Sequence, residues 1–107
     1  MLVLEAVPAP GRNAYRLLRS RLRGASTWKW ANKARTRIKH VQRLKGGHIS
    51  IADAGGVLVA HVNPKTPDDL FYLVEKFTGR LVAWFANDLV AINIQIVPDT
   101  VAPLRKR

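Results

Sequence analysis

No cysteine occurs anywhere in the 107 residues, so disulfides, zinc–thiolate sites and thiol nucleophiles are excluded. No apolar run approaches the roughly 18 residues of a membrane span. The start, Met1-Leu2-Val3-Leu4-Glu5, has neither the charged leader nor the apolar stretch of a signal peptide. A cytoplasmic protein with no membrane partner is the expectation. Acids are also few: 7 Asp and Glu stand against 18 Lys and Arg, for a formal net charge of +11.

Catalytic signatures are missing as well. No Gly-Lys-Ser/Thr follows Gly46-Gly47 or Gly55-Gly56, so neither begins a phosphate loop. Ser20, Ser26 and Ser50 lack a nucleophile-elbow context. His40, His48 and His61 are the only imidazoles and are not spaced as metal ligands. Pro67-Asp68 with Glu75-Lys76 lacks the acid-x-Lys strand a metal-dependent nuclease needs. No cofactor and no catalytic residue is implied.

What is present is a lopsided charge. Residues 1–47 carry 12 Lys and Arg against one acid, Glu5, whereas residues 48–107 carry 6 of each. The whole excess lies in the first half, and from Arg12 to Lys45 there is no acid at all. Like charges packed this densely repel one another, and a polyanion relieves that repulsion. A merely solvated charged face normally mixes Glu among its Lys and Arg. Within 12–23 the cations are all Arg, which suits bidentate phosphate contacts.

The size is that of one domain. The pattern predicts a strand over 2–7, ended by Pro8 and Pro10, and a helix from Arg12 to Arg23 with Ala14, Leu17, Leu18 and Leu22 on one face. Ser26 or Thr27 is expected to cap a second helix from Trp28 to Arg43, with Trp28, Ala31, Ala34 (or the stem of Arg35), Ile38 and Val41 as its apolar stripe. Residues 48–63 read as a β-hairpin turning at Asp53-Ala54-Gly55-Gly56.

Thr66-Pro67-Asp68-Asp69 is a strong helix start: a capping hydroxyl, Pro at the first position and two acids at the positive end of the dipole. That helix is expected to run through Gly79 to Phe85, with Leu70, Val74, Phe77, Leu81 and Trp84 inward. Leu89–Val97 alternates as a strand whose Val90, Ile92, Ile94 and Ile96 share a buried face.

The expected class is therefore α+β, a small antiparallel or mixed sheet packed by helices. Its order β-α-α-β-β-α-β reduces to the ferredoxin-like one if the two basic helices form a single crossover. One domain over 1–98, with the basic helical pair 12–45 inside it, is followed by a basic tail over 99–107.

The reading of function is a nucleic-acid-binding protein, RNA favoured over DNA, and a candidate ribonucleoprotein component. Arg12, Arg16, Arg19, Arg23, Lys29, Lys33, Arg35, Arg37, Lys39, Arg43 and Lys45 are the candidate phosphate contacts. Trp30, two residues from a core Trp28 and so on another side of the expected helix, is the candidate base-stacking residue. An RRM-type sheet reader is disfavoured, because residues 57–62 contain no Phe or Tyr. Two rivals remain: an interaction module whose basic helices dock on an acidic protein, and a small ligand-binding or enzymatic dimer. The apolar second half makes a homodimer, through a sheet edge or a helix back, a further expectation.

Overall fold

The computed structural model describes residues 1–97; the expected tail 99–107 lies outside them. The described residues form six strands and two helices: β1 (Leu2–Pro8), α1 (Ala14–Leu22), β2 (Trp28–Trp30), β3 (Arg37–His40), β4 (Gly47–Ala54), β5 (Val57–Pro64), α2 (Pro67–Phe85) and β6 (Leu89–Ile96). All pairings are antiparallel, and the sheet runs β2-β3-β4-β5-β1-β6. The α+β class holds.

The ferredoxin-like order does not, because the expected second helix over 28–43 is a two-stranded extension of the sheet. The reason is visible in the side chains. Trp28 and Trp30, then Ile38 and His40, alternate inward with Lys29 and Lys39 between them, the period of a strand. Aromatic and β-branched residues favour that pleat. Ala31 and Ala34, which the helical reading put on the apolar stripe, lie in the exposed connection between β2 and β3. Thr27 caps no helix; its carbonyl accepts from the Val41 N–H at 2.8 Å and extends the β2–β3 ladder.

Both helices cover one face of the sheet. Leu4 and Ala6 of β1, Ile49 and Ile51 of β4, and Leu58, Ala60 and Val62 of β5 meet Leu18 and Leu22 of α1 and Leu73, Phe77, Leu81 and Phe85 of α2. The inward row of α2 is thus turned slightly from the expected one, with Leu70, Val74 and Trp84 only half-buried at its borders. Asn13, not Arg12, begins α1: its side chain accepts from the Arg16 N–H at 2.9 Å. Thr66 caps α2 as expected, accepting from the Asp69 N–H at 3.1 Å. The helix runs unbroken through Gly79, where a Cβ would meet open space.

β6 pairs with β1 from Leu2↔Ile96 to Val7↔Ala91, then shifts register so that Pro8 faces Leu89 and Val90 bulges out. The buried face expected for this strand is formed only in part: Ile92 is half-buried against the core, while among the described residues nothing covers the far end, where Ile94 is 48% and Ile96 84% exposed. β6 is an open edge with no charged residue from Leu89 to Ile96, and such an edge invites pairing with another chain. Among the described residues, no helix is long and apolar enough to cross a membrane.

Candidate nucleic-acid interface

The fold splits the basic segment into several groups. The first is a cleft between α1 and the β2–β3 end of the sheet. Arg16, Arg19 and Arg23 recur at i, i+3 and i+7 on α1, so helical geometry places them along one flank. That flank faces Trp30 and Arg35 across a cavity of about 450 Å³, also lined by Tyr15, Ser20 and Asp53. The Arg19 guanidinium lies 5.7 Å from the Tyr15 ring centre and 5.9 Å from that of Trp30. Trp30 is half-buried. Five of the residues expected from sequence therefore meet in one place.

Trp30 arrives there by a different route from the one expected. On a strand, residues two apart point the same way, so Trp28 and Trp30 share the helix-covered face. Trp28 lies under the core, packed edge-on against His40 and Phe77. Trp30 projects beyond it into the cations. Asp53 brings an acid to the cleft, but its Oδ1 accepts the Gly56 N–H at 2.8 Å and so closes the β4–β5 turn.

Arg35 is placed by a locked loop. Asn32 Oδ1 accepts from the N–H of Thr36 (3.1 Å) and Arg37 (3.0 Å), and Asn32 Nδ2 donates to Thr36 Oγ1 at 2.8 Å. The Arg35 N–H donates to the Asn32 carbonyl and the Ala31 N–H to that of Arg37. Within this turn Arg35 has φ 58°, the one positive φ at a non-glycine residue among those described. That conformation is unfavourable for any side chain with a Cβ. Lys33 is exposed in the same loop.

The second group lies on the opposite, helix-free face of the sheet. Lys29 sits directly across from Lys39 in the β2–β3 register, and like charges so placed destabilise a sheet. Arg37 is opposite Ser50, which is opposite His61. His48 is held below its ordinary pKa of 6.5 first by partial burial, then by Arg37, Lys39 and Lys65. Lys39 Nζ also donates to the Leu44 carbonyl at 3.0 Å.

Two of the expected contacts are engaged by acids from outside the acid-free segment. Arg43 bonds Asp69 Oδ1 at 2.8 Å and lies 4.2 Å from the Tyr72 ring centre. This pairing, with the Thr66 cap, holds the Asp69 carboxyl below the usual range. Arg43 thereby ties the end of β3 to the start of α2. Arg12 lies 3.4 Å from Asp88. Lys45 is exposed in the β3–β4 connection.

His40 is buried on the helix-covered face of β3. Its Nδ1 accepts from the Gln42 N–H at 3.1 Å and faces the Tyr72 hydroxyl at 3.4 Å. Burial first, then Lys76, Arg80 and Arg43, lower its pKa. Among the described residues, no three His, Asp or Glu come together as a metal site.

Sequence reasoning missed Tyr15 as the second ring beneath Arg19. It also missed Arg21, Arg80 and Trp84, which meet on the other side of α1. Arg80 and Trp84 are four apart on α2, a spacing that stacks one over the other, and that signal was present in the sequence. Comparison with protein families, with curated proteins and with solved structures finds no match.

Proposed function

We propose that this chain is a nucleic-acid-binding protein that holds a single strand, RNA in preference to DNA, in the cleft between α1 and the β2–β3 hairpin. One observation carries the reading: four arginines, Arg16, Arg19, Arg23 and Arg35, converge on a half-buried tryptophan. Guanidinium groups satisfy phosphates, and a tryptophan ring or the plane of an arginine stacks on an unpaired base. Part of the charge has a simpler role, since Arg19 and Arg21 lie in the last turn of α1, where the dipole favours cations. That accounts for neither Arg16 nor the strained Arg35.

The test is a titration of a labelled oligouridine of about a dozen nucleotides, in the range such surfaces cover. Arg19→Gln with Arg23→Gln should weaken binding about tenfold while costing at most about 1 kcal/mol of stability, because both side chains are exposed and only Arg19 lies in the last turn, where the dipole favours a cation. Unchanged affinity in a folded double variant overturns the proposal. Tighter binding of polyglutamate than of the oligonucleotide at equal ionic strength favours the acidic-protein partner instead.

A further inference from the structure

Across α1 from the cleft lies a second cavity, of about 440 Å³, lined by Ser20, Arg21, Gly24, Ala25, Ser26, Thr27, Arg80 and Trp84. Its chemistry repeats that of the first. Arg21 lies 5.2 Å and Arg80 5.9 Å from the Trp84 ring centre, so one half-buried tryptophan carries two guanidinium groups. Among the described residues no acid lines the cavity and neither arginine forms an ion pair. Ser20, Ser26 and Thr27 add hydroxyls at its wall.

The two cavities are joined through α1. Ser20 lines both, and its neighbours Arg19 and Arg21 point one into each. Gly24, where α1 has ended, has no atom within 4 Å of the position a Cβ would take, so the floor of the second cavity is open there. α1 is thus a short ridge with an arginine-covered tryptophan on either side: Trp30 on the sheet, Trp84 on α2.

We infer that the cavity at Arg21, Arg80 and Trp84 is a second nucleotide subsite, and that a single strand crosses the ridge of α1 at Ser20 to occupy both clefts. This rests on the proposed nucleic-acid function. Two acid-free guanidinium groups suit a phosphodiester, and the indole with its stacked cations suits the flat face of a base. A cavity of this volume is in the range that holds a small ligand of roughly nucleotide size.

The experiment is the oligouridine titration at several salt concentrations, on the full chain and two double variants. Arg21→Gln with Arg80→Gln removes the second subsite's cations; Arg19→Gln with Arg23→Gln weakens the first. For a single strand, log affinity falls with log salt by about 0.7 per phosphate contact. The first pair should therefore reduce the slope by about 1.4 and weaken binding at low salt. Intrinsic fluorescence supplies a second readout. Saturating oligonucleotide should quench the wild-type protein, and Trp84→Phe, which keeps an aromatic ring in place, should lose part of that quench.

An unchanged slope in Arg21→Gln with Arg80→Gln, alongside a reduced one in Arg19→Gln with Arg23→Gln, overturns the second subsite and leaves the first cleft standing. An undiminished quench in Trp84→Phe does the same. If neither double variant lowers affinity, the nucleic-acid reading itself fails.

Discussion

Arg35 offers the sharpest separation of stability from binding. Its backbone sits at φ 58°, a region that costs a residue with a Cβ about 1–2 kcal/mol. Glycine escapes that cost but gives up roughly 0.5–1 kcal/mol in unfolded-state entropy. Arg35→Gly should therefore be level with the wild type or more stable by up to about 1.5 kcal/mol. Arg35→Ala keeps the strain and removes the same exposed side chain, so it should stay within about 0.5 kcal/mol of the wild type. The contrast between the two variants isolates the backbone: Arg35→Gly should melt level with or above Arg35→Ala, at roughly 4–8 °C per kcal/mol for a domain of this size. Both should bind oligouridine less well, with a salt slope reduced by about 0.7. Thermal melts and salt titrations on the pair decide it. If Arg35→Ala is more stable than Arg35→Gly, the locked turn is not strained. If Arg35→Gly binds like the wild type, the guanidinium does not reach a phosphate.

Two glycines should respond to the same substitution with opposite signs. Gly79→Ala, mid-helix and with nothing within 4 Å of the new methyl, should stabilise by about 0.5–1 kcal/mol in a urea melt. Gly47→Ala should destabilise by roughly 2–5 kcal/mol, combining positive-φ strain with overpacking, because φ is 105° and the Cβ would fall on the Asn63 carbonyl oxygen; a neutral Gly47→Ala would refute the β4–β5 register there. Stability should also fall with acid before any carboxylate titrates. His40 and His48 have folded-state pKa values below 6.5, so below pH 6.5 the unfolded chain takes up protons that the folded one refuses. The slope can reach about 1.4 kcal/mol per pH unit for each imidazole. Melting temperatures from pH 7 down to about pH 5, above the carboxylate range, should drop in the wild type and drop less steeply in His40→Gln; a flat wild-type profile refutes the account.

Much of the fold was readable where local chemistry and periodicity agree. Thr66-Pro67-Asp68-Asp69 specified the start of α2, and the alternation of 89–97 specified a strand. Residues 28–43 were misread because Trp28, Ala31, Ala34, Ile38 and Val41 recur at helical spacing, while Trp28 with Trp30 and Ile38 with His40 alternate as in strands, so two periods fit the same letters. Trp28 and Ile38 are inward under both. What decides between them is Asn32, whose side chain closes a turn between β2 and β3 that the helix reading had no use for. The buried side of β6 was unreadable for another reason: alternation tells which residues share a face, not whether a helix reaches far enough to cover it. At the candidate site, charge density picked out the segment that brings Arg16, Arg19, Arg23, Trp30 and Arg35 to one cleft. It could not foresee that Asp69 and Asp88, far along the chain, come back to engage Arg43 and Arg12, or that Trp84 would lie beside Arg21.

The turn that Asn32 closes bears on how this protein meets any anion. Fixing the backbone of one residue costs about 1–2 kcal/mol, and a basic loop that orders only on contact sets that cost against its affinity. Here the residues carrying Lys33, Arg35 and Arg37 are already ordered by the turn before anything arrives. Under the proposed function, association at the tip would be a rigid-body encounter, without the large heat-capacity change of coupled folding and at a rate governed by electrostatic steering. The same rigidity fixes the spacing of the cations, so such a tip would select among anions by the separation of their charges and would not mould itself to them.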